Sequence, residues 1–350
     1  MPPEDEKPLE ILKLLFGPNA KGVLGIQAMI PLPLRPTAPG NDRFFKIADN
    51  VVGAQPNHIM TVLSALGQSI VPIVAMVPGE ETIRCLGTGF FISWSGLLIT
   101  AAHVIIDPIE RNYGGVREVE GIGWDMSQLD LGVMVATNPI FQQPDWVFRK
   151  IEWSGLLATR TESPLLFGRR DLKLSADTAI CKVETALSDV PYQPLAIVQP
   201  GIRGVGLQVG KRAVAIGYGA MADIPLEEQP DGSRRGAIQF DLHVAQGQIL
   251  ERFPENDVDP QVRTPGPCFS ASLTLPPGMS GSPIFDDERI YVHGVVSSGL
   301  QDEHGPTDLG YGSMLTPSLG IPLKFMQDKT LVDLLREGGQ GMPRLSIADA

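Results

Sequence analysis

A serine at position 280 lies in a stretch rich in glycine and proline, PPGMSGSPIF (residues 276–285). Turn chemistry alone accounts for such a composition, because glycine and proline favour tight turns. The alternative is that the loop presents Ser280 as a nucleophile. Attack by a serine hydroxyl requires a base that removes its proton and an acid that holds the base in the right tautomer. These partners must come from elsewhere in the chain.

A candidate base is His103, one of five histidines. It lies in GTGFFISWSGLLITAAHVI (residues 87–105), whose pattern indicates two strands of a hairpin followed by small residues and then the histidine. Small residues before a base let the chain turn and project the imidazole outward. A single histidine at a strand end is more often structural, and these residues alone leave both interpretations open.

Two segments together resemble the chymotrypsin-like and trypsin-like serine proteases, in particular the bacterial-type peptidases. GTGFFIS…GLLITAAHV resembles the segment that ends in the family's catalytic base, and GMSGSPIF…VHGVVSSG resembles its nucleophile loop and the following strand. They occur in the family's order, and the resemblance covers roughly residues 69–338. It implies a serine endopeptidase with His103 as general base and Ser280 as nucleophile, acting through an acyl-enzyme.

Two aspartates compete for the acid that the resemblance requires. Asp177 opens the alternating pattern of SADTAICKVE, and Asp130 opens a similar one in QLDLGVMVA. A polar connector and then VGKRAVAIGYG follow Asp177, which resembles the family's passage into its second barrel. We therefore expect Asp177 to be the acid, with Asp130 as the alternative. The long separation of His103 from Asp177 indicates an insertion within 107–126 or 137–170.

The resemblance also implies roles for groups near the serine. The backbone N–H groups of Gly278 and Ser280 match the oxyanion hole, and glycine suits a loop position with positive φ. Ser297 matches the hydroxyl that supports the catalytic aspartate, although an ordinary strand serine is nearly as simple an interpretation. With Ser298 and Gly299 it matches the edge strand that pairs with an extended substrate.

Two positions differ from the digestive members of the family. Met279 stands where they carry an aspartate that pairs with a newly cut N-terminal amine, so we expect no activation of that kind. Thr274 matches the floor of the primary pocket, where an acidic residue would receive Arg or Lys. Small or apolar substrate side chains are therefore favoured, but Asp308 lies near the expected pocket wall and leaves this preference open.

Short runs rich in Val, Ile and Phe, separated by turn residues, begin near residue 69 and predict an all-β fold. With the resemblance, they imply two six-stranded antiparallel β-barrels and a short C-terminal helix in PLKFMQDKTLVDLLREGG. The proline-rich residues 28–45 are expected to be irregular. The expected divisions are a partly helical N-terminal extension over 1–68, a first barrel over 69–190, a second barrel with the C-terminal helix over 191–338, and a tail over 339–350.

Composition argues against several other classes of protein. The net charge of −12 disfavours a nucleic-acid partner. The three cysteines form no C-x-x-C pair, so we expect reduced thiols, no metal and no cofactor. The acidic N-terminus does not resemble a signal peptide, and we expect the uncharged run 59–79 to form a helix and a buried strand rather than a membrane span.

We expect a cytoplasmic location, with secretion by another route left open. The expected partner is a polypeptide substrate. The alternative function is a catalytically silent scaffold of the same fold that binds a protein partner through its edge strand and N-terminal extension.

Overall fold

The computed structural model describes residues 27–31, 44–45, 68–119, 123–126, 128–136, 146–162, 170–185, 192–195, 197, 207–228, 230, 234–235, 237–254, 264–286, 291–303 and 305–337. The helices expected upstream of residue 68 and the tail at 339–350 lie outside these residues.

The described elements are mostly strands. In chain order the strands are β1 (Gln27–Pro31), β2 (Phe44–Phe45), β3 (Ile70–Met76), β4 (Thr82–Phe91), β5 (Leu97–Thr100), β6 (Arg117–Val119), β7 (Gly123–Asp125), β8 (Asp130–Ala136), β9 (Trp146–Glu162), β10 (Arg170–Val183), β11 (Arg212–Gly219), β12 (Ile224–Pro225), β13 (Glu227–Glu228), β14 (Arg234–Arg235), β15 (Ala237–Phe253), β16 (Cys268–Ala271), β17 (Pro283–Asp286), β18 (Val292–Asp302), β19 (Gly305–Met314), β20 (Pro322–Leu323) and β21 (Lys329–Thr330). The helices are α1 (Ala102–Glu110), α2 (Thr316–Leu319), α3 (Leu331–Glu337) and a 3₁₀ turn (Lys324–Met326).

The first barrel closes through strands β10, β5, β4, β3, β8 and β9, since β9 pairs back with β10. Strand β3, with the sequence IVPIVAM, shows how the chain forms a wall of this barrel, because successive side chains of a strand point to opposite faces. Val71, Ile73 and Ala75 pack into one apolar cluster inside the barrel. Ile70 and Val74 pack into a second cluster, which includes residues of the other barrel. Burial on both faces explains why this segment is a continuous apolar run.

The second barrel closes through strands β15, β11, β17, β18, β19 and β16, since β16 pairs back with β15. Phe269, Ile284 and Val296 fill its interior. Strand β12 crosses to the first barrel, where Ile224 pairs with Ile83 of β4. The two barrels therefore share both an apolar cluster and a strand pairing.

The expected all-β fold with two six-stranded antiparallel barrels is confirmed. One helix was not expected from the sequence: β5 ends at Thr100 and α1 begins at Ala102, so His103 lies in the first turn of a helix. No helix among the described residues is both long enough and apolar enough to cross a bilayer.

The closing helix is shorter than its apolar pattern suggests. Gln327 and Asp328 have positive φ angles of 59° and 62°, which interrupt any helix that begins near residue 322. The helix begins only after Thr330, whose hydroxyl accepts the N–H of Asp333 at 3.2 Å. The Asp333 carboxylate accepts the Thr330 N–H at 2.9 Å, so the two residues form a reciprocal cap.

Residues 28–45 were expected to be irregular, but two short segments in this region form strands because they pair with the sheets. Strand β1 pairs with β15 of the second barrel, and β2 pairs with β9 of the first. The additional residues between His103 and Asp177 lie in two parts of the structure. Part of it forms α1 and the β6–β7 hairpin, and part extends the β9–β10 hairpin as far as the pair Glu162–Arg170.

Candidate active site

His103 and Asp177 meet where the first barrel faces the second. Asp177 is only 2% exposed and lies at an irregularity of β10, where the pairing with β9 shifts between Leu174 and Ala179. Its Oδ2 lies 2.8 Å from Nδ1 of the His103 ring. Its Oδ1 accepts the backbone N–H of His103 at 3.0 Å. Because His103 is in the first turn of α1, that N–H has no partner within the helix, and Asp177 takes the place of a cap.

Ser297 and Thr264 complete the surroundings of the carboxylate. The hydroxyl of Ser297 donates to Asp177 Oδ2, and the hydroxyls of Thr264 and Ser297 lie 2.9 Å apart. Since the Ser297 proton is directed to the carboxylate, Thr264 is the donor of this second bond. Both hydroxyl residues are 5% exposed, so the chain of donors is shielded from water. Sequence reasoning missed Thr264, because a threonine in a turn carries no signal of such a contact.

The pKa values of the pair shift in opposite directions. Burial raises the pKa of Asp177, but hydrogen bonds from the His103 ring, from Ser297 and from the His103 N–H outweigh it and leave the pKa below the ordinary value. Burial lowers the pKa of His103, but the hydrogen bond and the charge of Asp177 outweigh it and leave the pKa above its ordinary value. The pair therefore favours an ionised carboxylate.

The direction of the Gly278 N–H follows from the peptide bond between Pro277 and Gly278. The carbonyl of Pro277 accepts the N–H of Ala220 at 2.6 Å. In a trans peptide the N–H points away from the preceding carbonyl, so the Gly278 N–H faces away from Ala220. Gly278 has a φ of 94°, a conformation that glycine adopts without strain.

The Ser280 amide is directed in the same way. The carbonyl of Met279 accepts the N–H of Ser282 at 2.9 Å, so the Ser280 N–H points in the opposite direction. Within the described chain, no acceptor takes up the N–H of either Gly278 or Ser280. Two backbone donors on either side of Met279 are thus available to a ligand, as an oxyanion hole requires.

Thr88 of the first barrel holds this loop. Its N–H donates to the Ser280 carbonyl at 2.8 Å, and its hydroxyl donates to the Gly278 carbonyl at 3.1 Å. The same hydroxyl accepts the N–H of Tyr218 at 3.1 Å. Thr88 is fully buried, and so is Met279, which packs in the core of the second barrel. Hydrogen bonds and apolar packing thus shape the loop at the position where digestive relatives use an ion pair.

The side chain of Ser280 is turned toward the second barrel. Its hydroxyl donates to the carbonyl oxygen of Ser297 at 3.2 Å. Among the described residues, no hydrogen bond joins this hydroxyl to the His103 ring. Catalytic hydrogen bonds are often unformed before a substrate binds. Ser297 thus contacts both halves of the site, through its hydroxyl to Asp177 and through its carbonyl to Ser280.

The other sequence candidates lie elsewhere or at the rim. Asp130 forms an ion pair with Lys150 of β9 at 3.5 Å, away from the His103 ring. Thr274 donates its hydroxyl to Asp308 at 2.6 Å. Ser298 and Gly299 follow Ser297 in β18, where they pair with β19.

A metal site or a reactive thiol would be a second kind of reactive centre. No group of three His, Cys, Asp or Glu side chains within the described ranges is arranged to hold a metal ion. The cysteines form no disulfide. Burial raises the pKa of Cys85 to about 12 and that of Cys268 to about 11, so neither is a thiolate at neutral pH.

A comparison with known protein families matches the trypsin-like peptidase domain over residues 87–295, more than half of the chain. The chain belongs to the trypsin-like peptidase family. A search among curated proteins finds no match. Membership of the trypsin-like peptidase family supports a protease-type function with polypeptide substrates. The matched region includes His103, Asp177 and Ser280, and it extends into β18 as far as Val295.

Proposed function

We propose that this trypsin-like peptidase is an active serine endopeptidase in which His103 is the general base, Asp177 orients it and Ser280 is the nucleophile. The observation that carries the proposal is the buried Asp177 carboxylate bound to Nδ1 of a partly exposed histidine. Packing alone does not require a buried carboxylate between two barrels, where an ionised group is costly unless it is fully hydrogen-bonded.

The tautomer of the base follows from this contact. Because Asp177 accepts the proton on Nδ1, the Nε2 lone pair of His103 is left to take the proton of the Ser280 hydroxyl. This transfer requires Ser280 to turn from the Ser297 carbonyl toward the ring. A rotation about its χ1 angle between staggered positions is a common side-chain motion.

The reaction then runs in two halves. As His103 takes the proton, the Ser280 oxygen bonds to the substrate carbonyl carbon, and the carbonyl oxygen becomes an oxyanion bound by the N–H groups of Gly278 and Ser280. The intermediate collapses, the carbon–nitrogen bond breaks, and the leaving amine takes the proton from His103. Water repeats the sequence on the ester: His103 takes a proton from water, the acid is released, and the proton returns to Ser280.

A covalent probe tests the proposal directly. An alkyl fluorophosphonate should label the wild-type protein at neutral pH, with the adduct on the peptide that contains Ser280 by mass spectrometry. Ser280→Ala should remain unlabelled. Ser95→Ala, which removes an exposed serine in the turn between β4 and β5, should be labelled as the wild type is. A wild-type protein that stays unlabelled would overturn the proposal and favour the silent scaffold.

A further inference from the structure

The inference concerns the substrate side chain next to the scissile bond, and it rests on the proposed function. A substrate whose carbonyl oxygen reaches the N–H groups of Gly278 and Ser280 has its acyl residue in front of Ser280. If its backbone continues along the edge of β18 as an added strand, that residue lies beside Ser298 and Gly299. Its side chain is then directed between β18 and the segment 274–277.

That space is filled by Leu275. A Cβ atom placed on Gly299 would lie 2.5 Å from the Leu275 carbonyl oxygen and 2.9 Å from its Cβ. A Cβ atom placed on Gly310 would lie 2.3 Å from Leu275 Cδ1. Gly299 and Gly310 are directly paired across β18 and β19. Leu275 therefore lies flat over the two glycines, and it is only 2% exposed.

The acidic group nearest this segment is already bound at the surface. The carboxylate of Asp308, an exposed residue, accepts the hydroxyl of Thr274, the residue before Leu275. A lysine or arginine side chain that enters between β18 and the segment 274–277 meets the buried Leu275. Asp308 is thus poorly placed to select basic side chains.

We propose that Leu275 limits the acyl-side residue of the substrate to a small side chain, in the class of glycine, alanine or serine. A methyl group needs only a shallow depression beside Gly299. A phenyl or guanidinium group needs a cavity, which opens only if a buried leucine leaves the core of the second barrel.

Peptidyl diphenyl phosphonates that differ only in the acyl-side residue test this limit. The rate constants for covalent labelling of Ser280 are compared for probes with alanine, phenylalanine and lysine side chains. The wild type should react with the alanine probe faster by about 100-fold or more, because misfit of a side chain in a closed pocket commonly costs 10–200-fold. Leu275→Ala should raise the rate of the phenylalanine probe by at least about tenfold.

Leu273→Ala is the matched control. It removes the same atoms from the same apolar cluster, two residues before Leu275. Leu273→Ala should therefore keep the wild-type preference for the alanine probe. A wild type that reacts fastest with the phenylalanine or lysine probe would overturn the inference, as would equal broadening in both leucine variants. The alkyl fluorophosphonate has no acyl-side residue, so its failure to label the wild type would instead overturn the proposed function, and the inference with it.

Discussion

At the residue scale, the centre of the site is one carboxylate with several donors. Asp177 accepts hydrogen bonds from the ring and the backbone of His103 and from Ser297. Three donors favour the charged form of a buried carboxylate, and this charge in turn stabilises a protonated histidine. Asp177 thus fixes both the tautomer and the basicity of His103.

Replacement of Asp177 with asparagine tests this role. Asp177→Asn keeps the size of the side chain but can present an amide donor to Nδ1, which favours the wrong tautomer of His103. We expect kcat/KM for a small-residue peptide substrate to fall by about 10⁴. Asp130→Asn is the control, because it removes a charge from a partly exposed ion pair with Lys150 and should leave kcat/KM near the wild-type value. A large loss in Asp130→Asn and a small one in Asp177→Asn would reverse the assignment.

The pH dependence of kcat/KM gives a second test. Only neutral His103 accepts a proton from Ser280, so activity falls as the pH drops through the pKa of the ring. Because Asp177 holds this pKa above the ordinary value of a histidine, the acid limb of the wild-type profile should lie at a higher pH than an isolated histidine would give. In Asp177→Asn the stabilising charge is lost, and the residual activity should show an acid limb at lower pH. An identical limb in the two proteins would show that Asp177 does not set the pKa of His103.

Part of this site could be predicted from residue types and their order. His103, Asp177 and Ser280 occur in the family's order, and the polar connector and the further strand that follow Asp177 favoured it over Asp130. Thr88 and Thr264 could not be predicted, because their contacts join segments far apart in the sequence and threonine is an ordinary residue in strands and turns. The orientation of the Ser280 side chain also depends on tertiary contacts that no local pattern encodes.

At the element scale, the loop around Ser280 depends on close approach between the two barrels. Gly281 has a φ of 86°, and a Cβ atom there would lie 2.0 Å from the Thr88 carbonyl oxygen. It would also lie 2.2 Å from the Thr100 hydroxyl oxygen. The backbone of the loop is therefore pressed against β4 and β5, and only glycine fits.

Gly281→Ala should abolish fluorophosphonate labelling, because the methyl group must push the loop away from β4. Gly79→Ala is the matched control, since Gly79 has a similar φ of 83° but no atom within 4 Å of the added Cβ. That variant carries only backbone strain, about 1–2 kcal/mol, which should lower the free energy of unfolding but leave labelling intact. Labelling of Gly281→Ala at the wild-type rate would show that close packing of the loop is not required.

The elements themselves were predictable to different degrees. Apolar runs identify several of the barrel strands, such as β3 and β11, since these runs match strands that are buried on both faces. Helix α1 was missed because its apolar residues continue the pattern of β5 without a polar cap, and the missing cap is supplied by Asp177 from another strand. The late start of α3 depends on the left-handed conformation of Gln327 and Asp328, which their residue types do not require.

At the scale of the whole molecule, the N-terminal region adds one strand to each barrel. Strand β1 pairs with β15 through five residues, and β2 pairs with β9 through two. Neither strand takes part in barrel closure, because β15 pairs with β16 and β9 pairs with β10 without them. Strands β1 and β2 therefore extend the two sheets without taking part in the closure of either barrel.

Deletion of residues 1–67 should lower Tm but preserve fluorophosphonate labelling. In a chain of this size, each kcal/mol of lost stability lowers Tm by about 1–2 °C, because the entropy of unfolding grows with chain length, and a shift of this size is measurable by calorimetry. A shorter deletion of residues 1–25 retains β1 and β2 and serves as the comparison. Equal Tm values for the two truncations would show that these strands contribute no stability.

The bonds from Thr88 to the Ser280 loop also join a part of the chain that is synthesised early to one that is synthesised late. Domains generally fold from the N-terminal side during synthesis, so the barrel that carries Thr88, His103 and Asp177 can begin to fold before Ser280 has been translated. His103 and Asp177 cannot cleave a peptide bond without the hydroxyl of Ser280 and the N–H groups of Gly278 and Ser280. Under the proposed function, the nascent chain therefore gains activity only when the second barrel closes against the first, which protects it from self-digestion while it is still unfolded.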